Sequence, residues 1–336
     1  MENLEKAISE LKSAFPGMDI REHESMAERC SFKCGGSVRA FAAPGDIMSL
    51  TKLCCILKEN RQAPYMLGNC TNLVFPDTEL DIMAVSCEKL TGLRLLPDGA
   101  IYAEAGVSLA RLASFAQQNE LAGLEFASGI PGSVGGGLLM NAGAYGGELK
   151  DCVESVVIYY LPEQRLYELS GEQCDFAYRS SIFKKIPGCV ILSGVFRLEK
   201  GDGEEISAKM RDYNGRRRDK QPLDMPSAGS SFKRPEGHFA AALIEQAGLR
   251  GYRLGGAQVS EKHAGFIVNA GGATAKDIHD LAAHVRKTVY EKFSVVLEPE
   301  MIMLPPDLDM SDNSPQVPRH MVFPVNENKG ESKGNN

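Results

Sequence analysis

The opening stretch MENLEKAISELKSAF is acidic and amphipathic, and it predicts a helix over residues 3–15 that stops before Pro16-Gly17. From Cys34 onward, short apolar runs and longer amphipathic segments take turns. The runs predict strands at Val38–Ala43, Tyr65–Leu67, Asp81–Val85 and Ile101–Glu104, and the amphipathic segments predict helices at Ile47–Glu59 and Leu109–Gln118. Residues Leu121 to Glu148 interrupt the pattern with glycine. Beyond them, Val153–Leu161, Arg165–Leu169 and Val190–Leu198 carry the Val, Ile and Tyr content that suits a sheet. Around Asp202–Glu205 the chain turns polar, which marks a domain boundary. The last third predicts a helix at Phe239–Ala247 with Gly248 at its C′ position, and a strand at His263–Asn269. Thr274 is placed to N-cap a helix that carries Ile278, Leu281, Ala282, Val285, Val289 and Phe293 on one face. After Leu304 the sequence is too polar to bury much, and residues 305–336 are expected to form a disordered tail.

The order of these elements indicates an α+β protein without internal repeats. Its 336 residues suffice for two domains or three small ones. With 37 basic and 44 acidic residues the net charge is −7, which argues against a dedicated nucleic-acid binder. The longest uncharged stretch, Phe126–Gly147, is long enough to span a bilayer, but its eight glycines and Pro131 rule out a stable apolar helix. The N-terminus lacks the basic and apolar regions of a signal peptide. Nine cysteines without a C-x-x-C pair read as free thiols in a reducing cytoplasm, and six scattered histidines offer no metal site.

Glycine, at 34 residues, is in excess, and much of the excess falls where chemistry is plausible. Gly68-Asn69-Cys70-Thr71-Asn72 follows a predicted strand, and such a turn exposes backbone N–H groups able to cradle a phosphate. Taken alone, an ordinary strand-ending turn is the commoner reading. Gly129-Ile130-Pro131-Gly132-Ser133-Val134-Gly135-Gly136-Gly137 and Asn141-Ala142-Gly143-Ala144-Tyr145-Gly146-Gly147 form a second, denser run. Neither matches the dinucleotide or P-loop fingerprints, although an extended diphosphate remains a reasonable guest. Tyr178-Arg179-Ser180-Ser181 places a guanidinium among small residues, able to fork onto a carboxylate or to form a surface ion pair. The segment RDYNGRRRDK, residues 211–220, is locally basic and suits an anion, or simply a solvated helix face. Pro226–Pro235 bears hydroxyls and two cations but has no locally spaced histidine for a serine hydrolase, and Leu297-Glu298-Pro299-Glu300 ends an apolar strand with two carboxylates.

The motifs GLEFASGIPGSVGG…MNAGAYGGE, YRSSIF, KQP…PSAGSSFKRP, GGAQVSEKHAGFIVN, ATAKDI and LEPE occur in this order. Together they closely resemble the UDP-N-acetylenolpyruvoylglucosamine reductase family of peptidoglycan precursor synthesis, over about residues 20–304. The resemblance implies a vanillyl-alcohol-oxidase/PCMH-type FAD-binding fold of two α/β subdomains, 1–90 and 91–205, with a C-terminal α/β substrate domain at 206–304. It implies NADPH as hydride donor, FAD as carrier and UDP-N-acetylglucosamine enolpyruvate as acceptor, in a cytoplasmic monomer without nucleic-acid, membrane or metal partners. The spacing of YR to the serine resembles the shorter subclass, which lacks a substrate-covering tyrosine loop.

By position, the resemblance makes Arg179 and Glu300 the charge-stabilising pair and Ser230 the proton donor. It assigns FAD to Gly68, Asn69, Cys70, Thr71, Asn72, Gly129, Ile130, Pro131, Gly132, Ser133, Gly135, Gly136, Asn141, Ala142, Gly143 and Tyr145. Substrate falls to Arg217, Lys220, Lys233, Arg234, Lys262 and His263. Two positions depart from the family pattern. Cys70 replaces the second glycine of G-x-G-S-N, which implies a strained φ or a shifted diphosphate. Gly265 replaces the asparagine of S-E-K-H-A-N, which removes one polar contact. Two other readings are a flavoenzyme of the same fold acting on a different substrate and a non-catalytic binder of nucleotide sugars.

Overall fold

The computed structural model describes residues 2–308 and 310. Helix α1 (Glu2–Ala14) buries Leu4, Ala7, Ile8 and Leu11, one helical face, against the first sheet and its companion helix. That sheet is built from β1 (Asp19–Ser25), β2 (Ser37–Ala43), β3 (Tyr65–Leu67) and β4 (Leu80–Ser86), with helix α2 (Ile47–Glu59) crossing between β2 and β3. The order is β1-β2-β4-β3, antiparallel at β1/β2 and parallel elsewhere. Because both faces are covered, β4 reads as a nearly continuous apolar run, as parallel strands do. Ala40, Ala42, Met83 and Val85 face α1 and α2, while Phe41, Leu80, Ile82 and Ala84 fill a second core with Met26, Cys30 and Phe75.

The second unit holds β5 (Leu93–Leu95), β6 (Ile101–Glu104), helices α3 (Leu109–Gln118) and α4 (Val134–Met140), then β7 (Val153–Tyr160), β8 (Arg165–Ser170) and β9 (Cys189–Phe196). Its sheet runs β8-β7-β9-β6-β5, antiparallel throughout. Helix α4 lies inside the glycine-rich segment, where intrinsic propensity argues against a helix. Tertiary packing overrides propensity here. A Cβ at Gly137 would lie 2.9 Å from Leu149 and 3.2 Å from Leu109, so glycine lets α4 seat closely on its neighbours. Tyr159, Leu161, Val190 and Leu192 join the core beneath α1 and α2, which fuses the two units.

Helix α5 (Gly203–Lys220) starts at the polar turn that marked the boundary, where the Asp202 carboxylate accepts from the N–H groups of Glu204 and Glu205. It buries little beyond Ile206, which is why no apolar periodicity announces it. The third unit has α6 (Ala240–Gln246), a small antiparallel sheet of β10 (Arg253–Leu254), β11 (Ala257–Val259) and β12 (Ile267–Asn269), and α7 (Ala275–Phe293). Thr274 caps α7 in a capping box with Asp277, and Gly248 takes φ +80° after α6. Strand β12 is shorter than expected because residues 263–265 turn around the Ser260 hydroxyl, which accepts from the N–H groups of Lys262 and His263. Strand β1 gives no sequence signal; it is a charged edge strand with no buried residue.

The chain then returns to its beginning. Ile302–Met303 pairs in parallel with Leu73–Val74. The start of the expected tail is ordered against the first unit. Leu308 and Met310 pack on the Phe41 side of the sheet, and the Met310 carbonyl accepts from the Ala63 N–H at 2.9 Å. The rest of that segment, like Met1, lies outside the described residues.

A chain ending at Met310 keeps these contacts, whereas one ending at Leu304 loses them. In thermal or urea unfolding the shorter chain should be less stable by on the order of 2 kcal/mol, the scale of two partly buried apolar side chains and one hydrogen bond. Equal stability of the two chains would show that the contacts contribute nothing.

Candidate active site

Two loops meet at the junction of the first and second units. Gly68 and its successors leave β3, and Gly129–Ser133 leads into α4. A Cβ on Gly68 would fall 2.4 Å from the Ser133 hydroxyl, so the loops touch only because residue 68 has no side chain. Ser133 N-caps α4 by accepting from the Gly136 N–H, and the Gly135 N–H donates to the Ala105 carbonyl. Among the described residues the N–H groups of Asn69, Cys70 and Thr71 find no acceptor. Consecutive unbonded N–H groups on a glycine-bearing turn form an anion-binding concavity, which fits the diphosphate of an FAD. Cys70 does take the left-handed conformation that its departure from glycine implies, at φ +50°, a cost of about 1–2 kcal/mol for a residue with a Cβ.

Arg179 and Glu300, 121 residues apart, come together at 2.5 Å from Nε to Oε1. The guanidinium is raised on a two-residue turn. Ala177 and Ser180 exchange both backbone hydrogen bonds, and Arg179 at the tip has φ +55°. Its Nη2 donates to the Gly143 carbonyl at 3.1 Å. Glu300 is held by backbone on both sides. Its N–H donates to the Ser231 carbonyl, and its carbonyl accepts from the Asn72 side-chain amide at 3.0 Å. The two charged side chains are only 18% and 16% exposed, so they interact in a medium less screening than water. They stand beside a cleft of about 620 Å³ lined by Gly143, Tyr145, Glu148, Tyr178, Arg179 and Arg234.

Ser230 and Ser231 are separated by their environments. Ser231 is 1% exposed and its hydroxyl accepts from the Ile267 N–H at 2.8 Å, whereas Ser230 is exposed. Asn141 is fully buried with φ +44°, and its side chain is spent on the protein. The amide donates to Glu148 and to the Ala177 carbonyl, and the oxygen accepts from the Lys150 N–H. It thus shapes the turn that carries Arg179. Asn72, expected at the cofactor, likewise directs its side chain to Glu300. Tyr145 stacks on Tyr213 of α5 at 4.5 Å, and its hydroxyl donates to the Tyr213 carbonyl.

Of the expected substrate cations, Arg234 lines this cleft, and the six are in different states. Arg217 packs over Gly129, where a Cβ would meet its Cδ at 2.7 Å, and burial pulls its pKa below the usual arginine value. Among the described residues it has no carboxylate partner. Lys220 ends α5 exposed. Arg234 lies over the Phe239 ring, and its N–H donates to the Tyr178 hydroxyl. Lys233 is tied to Glu298, and Lys262 donates to the Arg218 carbonyl at the end of α5. His263 accepts from the Gly265 N–H through Nδ1, and burial lowers its pKa. A Cβ at residue 265 would lie 2.9 Å from its ring, so His263 occupies the space that a side chain there would use.

Lys184 escapes the sequence argument because it falls one residue past the YRSSIF motif. Its amine donates to the Arg179 carbonyl at 3.3 Å, and burial, then nearby Lys233, pull its pKa down. Buried Glu125 is the other omission. Its Oε1 has no hydrogen-bond partner and sits 3.7 Å from Lys209 of α5.

Comparison with known proteins bears on all of this. Residues 38–169 match the FAD binding domain family, and residues 221–304 match the C-terminal domain of UDP-N-acetylenolpyruvoylglucosamine reductase. The reductase of Caldanaerobacter subterraneus subsp. tengcongensis is 45% identical over 88% of this chain and 96% of its own length. That of Limosilactobacillus reuteri is 44% identical over 88% of this chain and 98% of its own. The crystal structure of the Thermus caldophilus enzyme superposes with a TM-score of 0.73 at 29% identity, covering 86% of this chain and 99% of that one. Similarity thus extends along nearly the whole length of these relatives, and the chain belongs to the UDP-N-acetylenolpyruvoylglucosamine reductase family.

Proposed function

We propose that Arg179, Glu300 and Ser230 form the catalytic centre of this reductase, and that the Gly68–Asn72 and Gly129–Gly136 loops hold its FAD. The reaction is the NADPH-dependent reduction of UDP-N-acetylglucosamine enolpyruvate to UDP-N-acetylmuramate. FAD, when bound, supplies the two-electron carrier that takes a hydride from NADPH and gives it to the vinyl carbon. The observation that carries the assignment is the meeting of Arg179 and Glu300 at the edge of the cleft, from motifs 121 residues apart.

Hydride addition leaves negative charge on the substrate's C2 and its carboxylate. A guanidinium already fixed by Glu300 and the Gly143 carbonyl meets that charge without reorganising, which is where electrostatic preorganisation lowers a barrier most. Glu300 restrains the fork, and its own backbone is fixed by Ser231 and Asn72. Protonation of C2 then needs a donor on the open side of the segment that carries Glu300's partner. Ser230 is exposed, whereas Ser231 is 1% exposed and closed off from the cleft by burial. A serine hydroxyl is a weak acid, so geometry and a proton-replenishing water complete the step. Arg217 and Lys220, at the end of α5, are assigned to the substrate diphosphate. Arg217 has a cationic head and no carboxylate of its own among the described residues.

Ser230→Ala should leave bleaching of the flavin by NADPH near normal and slow reoxidation by the enolpyruvyl substrate by at least about 10²-fold, the scale of lost general-acid catalysis. Ser231→Ala should bear mainly on stability, through the orphaned Ile267 N–H, by about 1–3 kcal/mol. If Ser231→Ala blocked reoxidation and Ser230→Ala did not, the assignment would be off by one residue.

Arg217→Ala or Lys220→Ala should raise KM more than it lowers kcat, because diphosphate contacts act about equally on the ground and transition states. A collapse of kcat at unchanged KM would overturn the diphosphate assignment.

Asn72→Ala removes the amide that fixes the Glu300 backbone. Reoxidation should slow about tenfold or more, while flavin reduction by NADPH changes little, since a misplaced charge costs the transition state more than binding. Equal loss in both half-reactions would show that Asn72 serves the cofactor instead.

A further inference from the structure

Of the nine cysteines, two differ from the rest. Cys30 closes the one-turn helix Met26–Arg29, and its N–H donates to the Met26 carbonyl. Cys70 stands at the left-handed position of the first cofactor loop. Their backbones are bound side by side, the Ser31 N–H donating to the Cys70 carbonyl at 3.2 Å, their side chains share one buried core, and the Cys70 thiol donates to the Gly68 carbonyl at 3.7 Å. Cys30 is fully buried behind the loop. Cys70 is 7% exposed and lines an opening of about 320 Å³ with Gly68, Arg29 and Glu88.

The surrounding groups give the two thiols different roles. Cys70 is held below the ordinary thiol value, chiefly by the neighbouring Cys30 thiol and further by Arg29, with burial and Glu88 opposing. Cys30 is pushed up by the Cys70 thiol and by burial. Cys34, Cys87, Cys152, Cys174 and Cys189 are each pushed up to about 12, mainly by burial, as in inert core thiols. A reachable sulfur with thiolate character, next to a second sulfur behind it, has the anatomy of an oxidation-sensitive pair.

We infer that Cys30 and Cys70 form a reversible dithiol–disulfide site on the cofactor loop, with Cys70 attacking a hydroperoxide and Cys30 resolving the product. With hydrogen peroxide as the oxidant, the Cys70 thiolate attacks one peroxide oxygen and the O–O bond breaks. Hydroxide leaves and takes up the proton that Cys70 gave to solvent, forming the first water. Cys70 is now a sulfenic acid, oxidised by two electrons. The Cys30 sulfur attacks the Cys70 sulfur, the S–O bond breaks, and the departing hydroxide takes the Cys30 proton as a second water. Two thiols and one peroxide have become one disulfide and two waters, and an external dithiol reverses the change. The pairing spares Cys70 from irreversible oxidation at a position where its N–H is one of three in the loop without an acceptor among the described residues.

The test is peptide mapping of the FAD-loaded protein after a small excess of hydrogen peroxide and alkylation in denaturant. Cleavage after Arg29 and Lys33 isolates Cys30 from Cys34, and cleavage before Asp77 separates Cys70 from Cys87. A Cys30–Cys70 linked peptide is expected, lighter by two hydrogens and lost on treatment with dithiothreitol. In the folded protein, N-ethylmaleimide should label Cys70 about tenfold or more faster than Cys87, in line with its greater thiolate character. Cys30→Ser should instead accumulate Cys70 with two or three added oxygens that dithiothreitol does not remove. Cys70→Gly, which restores the residue expected of a left-handed turn, should yield no linked peptide. Absence of the link in the parent protein, links to other cysteines in its place, or identical Cys70 oxidation with and without Cys30 would each overturn the inference.

Discussion

A parallel ladder two residues long, Ile302–Met303 on Leu73–Val74, ties the end of the third unit to the first and fixes the segment that carries Glu300. Asn72 immediately precedes one strand of the ladder, and Glu300 lies two residues before the start of the other. Everything that meets at the cleft depends on that register, since a slip of one residue turns each side chain to the opposite face. The ladder's few hydrogen bonds are each worth only about 1 kcal/mol net. The register holds because apolar residues on both sides of the junction share a core, with Phe32, Cys34 and Val74 of the first unit packed among Leu297, Met301 and the buried face of α7.

Charge reinforces the same junction. Both oxygens of the Asp77 carboxylate, on the first unit, accept from the opening N–H groups of α7, at Ala275 and Lys276. A carboxylate at a helix N-terminus satisfies donors that the helix cannot and meets the positive end of its dipole. Asn269 donates to the Phe32 carbonyl, and the Ser31 hydroxyl to the Ser227 carbonyl. The third unit is thereby fixed in orientation as well as in position, and Arg179 meets a Glu300 that is already aimed.

Most of the framework was legible in the residues because it is amphipathic. The faces of α1, α2 and α7 and the apolar runs of β4, β7 and β9 carry their own periodicity. The misses share one physical origin, elements whose stability comes from elsewhere in the fold. Helix α4 forms despite three successive glycines because two of them, Gly135 and Gly137, admit Ala105, Leu109 and Leu149. Helix α5 is long but buries almost nothing, and β1 is a polar edge. At the site, the resemblance pointed to residues of which Gly143, Tyr145, Arg179 and Arg234 line one cleft and Gly68, Asn69 and Cys70 another opening, yet neither spacing nor resemblance revealed how the side chains are shared out. The polar atoms of Asn141 and the side chain of Asn72 are turned toward the protein, Ser231 is buried and accepts from the Ile267 N–H, and His263 fills the room left by Gly265. Those divisions depend on side-chain hydrogen bonds between segments far apart in the chain, which no local pattern records.

The bond between Asn72 and Glu300 spans 228 positions, and that distance has a temporal meaning. On a ribosome the loops at Gly68 and Gly129 are synthesised long before Glu300. Contacts of such high sequence separation are entropically late even for a free chain, and domains generally fold as units from the N-terminus during synthesis. The nascent protein thus passes through a stage in which both glycine-bearing loops are present while the Arg179 turn still lacks its counter-charge. The pairing of Arg179 with Glu300 is therefore among the later contacts that the polypeptide acquires.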